Sequence, residues 1–112
     1  MSITPYVLEF GMGVDLQGTD STTAARRAVF DAIRHSSLPL LKDIEARGGE
    51  MLVDVTVAVP AAASVDLEAV KRELPHGVIS VRAIEGGLDV PGSEAIIACA
   101  AITVSASYGD ST

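Results

Sequence analysis

Cysteine, aromatic residues and basic residues are what this chain has least of. Its 112 residues include one cysteine, no tryptophan, two tyrosines and two phenylalanines. One cysteine cannot close an internal disulfide, so nothing here requires an oxidising compartment. Cys99 stands in a strongly apolar run and reads as a small buried hydrophobe, because a nucleophilic thiolate needs a nearby base and an electropositive setting. With so few aromatics, the core must be built from Val, Ile, Leu and Ala.

Bases are also scarce: eight Lys and Arg stand against fifteen Asp and Glu, a formal charge of −7. The bases are scattered, with Arg26-Arg27 and Lys71-Arg72 as the only adjacent pairs. That disfavours nucleic acid and anionic membrane surfaces, since phosphate binding is driven by clustered cations. No apolar run is long: residues 95–102 reach about a third of a membrane-spanning length. No charged segment followed by an apolar stretch opens the chain, so a cytoplasmic protein without a signal peptide is expected. Metal-ligand spacings such as His-x-x-x-His or Cys-x-x-Cys are missing, and no metal or other cofactor is expected. His35 and His76 read as helix-end residues that complement the dipole.

What is there reads as one α/β (α+β) domain over residues 1–108, with a frayed tail at 109–112. Residues 6–10 form a first strand, followed by a glycine-punctuated loop over 11–18. A helix over 22–36 carries the apolar stripe Ala25, Ala28, Val29, Ala32 and Ile33, with Arg26, Arg27, Asp31 and Arg34 outside it. Leu38-Pro39 breaks it, and a short helical turn is placed at 40–46. The second strand, 51–59, alternates most clearly, with Val53, Val55 and Val57 on one side and Asp54, Thr56 and Ala58 on the other. Ser64 caps a second helix over 65–74. Strands at 78–84 and 94–105 complete a β-α-β-α-β-β order.

That order implies a four-stranded mixed sheet with two helices on one face. The last strand, however, is apolar on both sides: Ile97, Cys99 and Ala101 one way, Ile96, Ala98, Ala100 and Ile102 the other. A sheet wet on one side should alternate, so a homo-oligomer is expected. The order and the uncovered face resemble the bacterial chorismate mutase and YjgF-type fold, whose members form trimers with clefts between subunits. The resemblance implies a trimer; the arginines with which a chorismate mutase of that fold holds its substrate have no counterpart in the last strand here.

Chemistry concentrates in two segments. Gly11, Gly13 and Gly18 do not fit the dinucleotide fingerprint G-x-G-x-x-G, and there is no Walker lysine. They suit either a tight strand-to-helix turn closed by Asp15, or a backbone approach to a ligand, with Ser21 and the helix N-terminal amides as anion donors. Glu85-Gly86-Gly87 suits either a turn or a substrate wall. Residues 11–18 also resemble the Gly-x-Gly-x-Asp-x-His-Gly signature of a conserved hypothetical-protein family of bacteria and plants, named after a Listeria protein. Segments at 37–39 and 85–92 share the likeness. Gln17 stands where the signature has His, and keeps hydrogen bonding but neither titration nor metal ligation. The expected site therefore holds a small polar metabolite between subunits. Gly11, Gly13, Gln17, Gly18, Ser21, Gly86 and Gly87 would contact it, and Asp15 and Glu85 would act as acid or base if it is an enzyme. A non-catalytic regulatory module and a purely structural subunit are the alternatives. Glu9, Asp54, Thr56 and Arg82 form a second polar group on the strands, either pairing across an interface or lining its cleft.

Overall fold

The computed structural model describes residues 2–17, 20–33, 38–74 and 76–109, with side chains described at all of these except 2, 4–7 and 38–41. The chain runs β1 (Ser2–Asp15), α1 (Ser21–Ile33), α2 (Leu38–Ala46), β2 (Gly49–Val59), a short 3₁₀ turn (Ala62–Ser64), α3 (Leu67–Lys71), β3 (Val78–Glu85), β4 (Leu88–Asp89) and β5 (Ile96–Tyr108). The mixed α+β class expected from the sequence is present. The element count differs: five strands rather than four, because Leu88 and Asp89 pair with Ile97 and Ile96, and three helices rather than two.

The long strands lie in the order β1-β5-β2-β3, with β4 beside β5. β5 runs antiparallel to both neighbours, whereas β2 and β3 are parallel and are joined by the crossover through α3. Fourteen-residue β1 alone spans about 45 Å, which accounts for most of the molecule's 59 Å longest dimension. The radius of gyration is 15.4 Å, against about 13 Å for a compact domain of this length. This is an elongated, one-layered sheet with helices on one side.

Strand alternation decides what is buried. Val53, Val55, Val57 and Val59 of β2 and Ile96, Ala98, Ala100, Ile102, Val104 and Ala106 of β5 face the helices. Their partners in the core are Ala24, Ala25, Ala28, Val29 and Ala32 of α1 and Val70 of α3. Helix α1 starts at Asp20, whose carboxylate accepts the Thr23 N–H at 3.1 Å and the Thr23 hydroxyl at 2.7 Å. Asp66, not the expected Ser64, caps the helix after β2: it accepts the Glu68 and Ala69 N–H groups, while Ser64 lies in the preceding 3₁₀ turn. The tail expected at 109–112 lies outside the described residues apart from Gly109. Tyr108 still belongs to β5, its ring lying where a Cβ on Gly49 would sit, beside Ile44 of α2.

Among the described residues nothing covers the other side of the sheet. Leu8, Phe10 and Met12 of β1 are 55, 67 and 57% exposed, and Val78 and Ile84 of β3 are half exposed. Cys99, expected as a buried hydrophobe, is exposed on this side because no helix reaches it. Among the described residues no helix is long and apolar enough to cross a membrane.

Candidate functional site

The glycines at 11 and 13 are strand residues, not loop residues: β1 continues to Asp15, and Gly11 pairs with Ala100 and Gly13 with Ala98. Their lack of side chains is used by α1. A Cβ on Gly11 would run into Ala28 O and Ala32 N, and one on Gly13 into Ala24 O and Ala28 N. The match is metric. Two residues along a strand advance about 6.7 Å and four along a helix about 6 Å, so a Gly-x-Gly strand seats an Ala24, Ala28, Ala32 row. These two glycines bring backbone to backbone, and the space a ligand would need is filled by the helix.

Asp15 is buried at the carboxyl end of β1. Its Oδ1 accepts the Gln17 N–H at 3.4 Å and its Oδ2 the Asp20 N–H at 3.2 Å. It closes the turn into α1 and thereby sets the Asp20 cap. The two Thr23 contacts, side chain first and then backbone, hold the Asp20 carboxyl below its ordinary range. Ser21 is buried and donates its hydroxyl to Pro60 O at 2.6 Å, tying the start of α1 to the end of β2. Gln17 is exposed, and Gly18 lies outside the described residues.

Glu85 ends β3, and its Oε1 accepts the Ala62 N–H at 2.6 Å. That anchor holds the turn after β2, in which Ala61 takes a left-handed φ of 54°. Gly86 sits against Ala58, and Gly87, at φ 66°, would drive a Cβ into Ile97 O. Both glycines thus allow β4 to fold back beside β5.

Asp15, Ser21, Glu85, Gly86 and Gly87 consequently share one end of the sheet, the carboxyl ends of β1, β2 and β3. They do not form one cluster within a chain. β5 and β2 lie between β1 and β3, so Asp15 and Glu85 stand three strand spacings, about 14 Å, apart. Among the described residues no group of three or more His, Cys, Asp or Glu comes together. A shallow groove of about 260 Å³ crosses α1 beside Phe30. Its guanidinium groups are already engaged, Arg26 with Glu73 at 2.8 Å and Arg27 with Val14 O at 2.6 Å.

The second polar group divides. Asp54, Thr56 and Arg82 occupy the bare face, whereas Glu9 has the register of the helix-covered side. One device has no counterpart in the sequence expectations: Arg27 and Asp31, one turn apart on α1, reach the free edge of β1. Arg27 donates to Val14 O, and Asp31 accepts the Met12 N–H at 3.0 Å. They occupy edge groups that another strand would otherwise pair with.

Fold and site define a class first: a mixed-sheet α+β domain with helices on one face and its polar turns gathered at one sheet end. The chain belongs to the conserved hypothetical protein family Lin0512_fam, whose model matches residues 5–104. It is similar to a protein of known structure from Nostoc punctiforme described as an FtsZ-like protein of unknown function. The two are 35% identical with a TM-score of 0.80, and the match covers 94% of this chain and 97% of the other. That neighbour carries the FtsZ-like description, not a chorismate mutase or YjgF one. No curated protein matches the chain.

Proposed function

We propose that this protein works as a homo-oligomer, a trimer by preference, which binds a small polar metabolite in clefts created when subunits cover one another's bare sheet face. The observation that carries this reading is the exposure of Leu8, Phe10 and Met12 of β1 beside Cys99 of β5, with Val78 and Ile84 of β3 exposed on the same side of the sheet. A monomeric soluble domain rarely leaves such a patch open, and its burial is worth roughly 25 cal/mol per Å². Small-molecule sites commonly form at such junctions.

The cleft walls in this reading are the sheet-end turns: Asp15, Gln17 and Ser21 of one subunit facing Glu85, Gly86 and Gly87 of the next. Ligand binding without catalysis is the version best supported. Both Asp15 oxygens and Glu85 Oε1 already accept backbone N–H groups, so each carboxylate is committed to holding a turn. If the site is catalytic, Asp15 or Glu85 is its acid or base.

Native mass measurement tests the assembly. A multiple of the 11.5 kDa chain mass is expected at micromolar concentration, reduced to one chain by Phe10→Asp; a wild-type monomer removes the cleft with the oligomer. Titration of metabolite pools against Asp15→Asn then separates the two versions. Turnover lost with binding kept indicates an enzyme, and binding kept with no turnover in wild type indicates a ligand-binding module.

A further inference from the structure

Over the stretch where β1, β5, β2 and β3 lie side by side, the bare face carries two charges, Asp54 on β2 and Arg82 on β3. Asp54 is level with Ser80, and Arg82 with Thr56. The rest of that stretch is apolar or hydroxylic; Glu50, further along β2, lies about 13 Å beyond Asp54. Asp54 and Arg82 are diagonal neighbours, yet neither takes part in an ion pair among the described residues. Both are exposed.

Covering this face buries an arginine and an aspartate together with the surrounding hydrocarbon. Left without partners, each would cost several kcal/mol. One acid and one base on a face give it a self-complementary charge pattern. In a contact between two identical surfaces, residue i of one meets residue j of the other and the reverse. We propose that the occupant of the bare face is a second copy of this chain, registered by an ion pair between Arg82 of each copy and Asp54 of the other. A different protein would have to bring both charges in the matching arrangement, whereas a second copy brings them by identity. Size agrees: four strands at about 4.8 Å spacing over some eight residues make a plan area of roughly 500 Å². Side-chain relief brings the accessible area toward the ~800 Å² per partner of a stable interface. The edge of β1 is already occupied near Met12 and Val14 by Asp31 and Arg27, so face-to-face contact is favoured over strand addition there.

This inference rests on the oligomeric reading above and makes the contact two-fold, a dimer in place of the trimer preferred from the fold resemblance; mixing two variants separates their fates. Asp54→Arg leaves a chain with two arginines on the face, and Arg82→Asp one with two aspartates. Each variant alone is expected to associate at least about 100-fold more weakly than wild type, because like charges now meet. Mixed in equal amounts, the two are expected to form heteromers at near wild-type affinity in sedimentation velocity, since opposite charges meet again only between unlike chains. The double variant carrying both changes is expected to self-associate. Circular dichroism on each variant checks that these exposed substitutions leave the fold intact. A wild type that is monomeric overturns the oligomeric reading itself. An oligomeric wild type whose single variants still assemble, or whose mixture gives no heteromer, overturns the ion pair alone.

Discussion

Replacing Gly13 with alanine should destabilise the protein substantially, and the structure says by what route. The new Cβ would overlap Ala24 O and Ala28 N and come within 2.7 Å of the Arg27 carbonyl carbon. All are backbone atoms of α1, so no rotamer change relieves them; the helix must lift from β1 as a body. Overpacking of this kind costs about 1–3 kcal/mol, and an obstacle made of backbone belongs at the upper end. The backbone at Gly13 is not at positive φ, so alanine also restricts the unfolded chain and returns about 0.4–1 kcal/mol. The net loss is about 2 kcal/mol, near 10 °C in Tm for a domain of this size. Urea unfolding at fixed protein concentration reads it, with Gly109→Ala, which meets nothing within 4 Å, as the control. The paired variant Gly11→Ala, Gly13→Ala should lose less than the sum of the single losses, because one lifting of α1 serves both. A Gly13→Ala protein within 0.5 kcal/mol of wild type would refute the helix-seat reasoning and return these glycines to the ligand.

Four further outcomes follow from the same structure. Ala61→Gly should raise stability by about 1 kcal/mol in urea titration, since an L-residue at left-handed φ carries a cost of that order. Asp15→Ala frees two amides at the entry to α1 and should cost about 1–3 kcal/mol. Glu85→Gln keeps the oxygen that accepts the Ala62 N–H and should be nearly neutral, while Glu85→Ala loses about 1 kcal/mol. Asp20 has a folded pKa below its unfolded one, so its stabilising effect is present above about pH 4 and is lost as pH falls through the lower folded value. Protection of the first-turn amides of α1, taken relative to the intrinsic exchange rate at each pH, should fall over that acid range in wild type and show no such step in Asp20→Asn.

Strong alternation made β2 readable, because Val53, Val55 and Val57 against Asp54 and Thr56 leave one assignment. The same holds for the two-sided apolar character of β5, which pointed to a sheet uncovered on one face. The glycine segment misled for a physical reason. Gly-x-Gly before a helix has the composition of a turn, and the cue that it continues β1 lies elsewhere, in the Ala24, Ala28, Ala32 row that fits against it only through tertiary packing. Ser64 and Asp66 are both good caps, and local composition does not choose between them. The edge contacts of Arg27 and Asp31 were hidden because solvent-facing charges on a helix look alike until the neighbouring strand is known. Three strand spacings between Asp15 and Glu85 are likewise a matter of strand order, which pattern alone does not supply.

Cys99 stands on the bare face opposite Met12 and Ala58, and as the chain's only thiol it reports directly on what covers that face. Its alkylation rate should fall as protein concentration rises from nanomolar to micromolar, and Phe10→Asp should restore full reactivity at every concentration. A native thiol that reacts as fast as a small free thiol throughout that range would contradict the covered face, and with it the inter-subunit site.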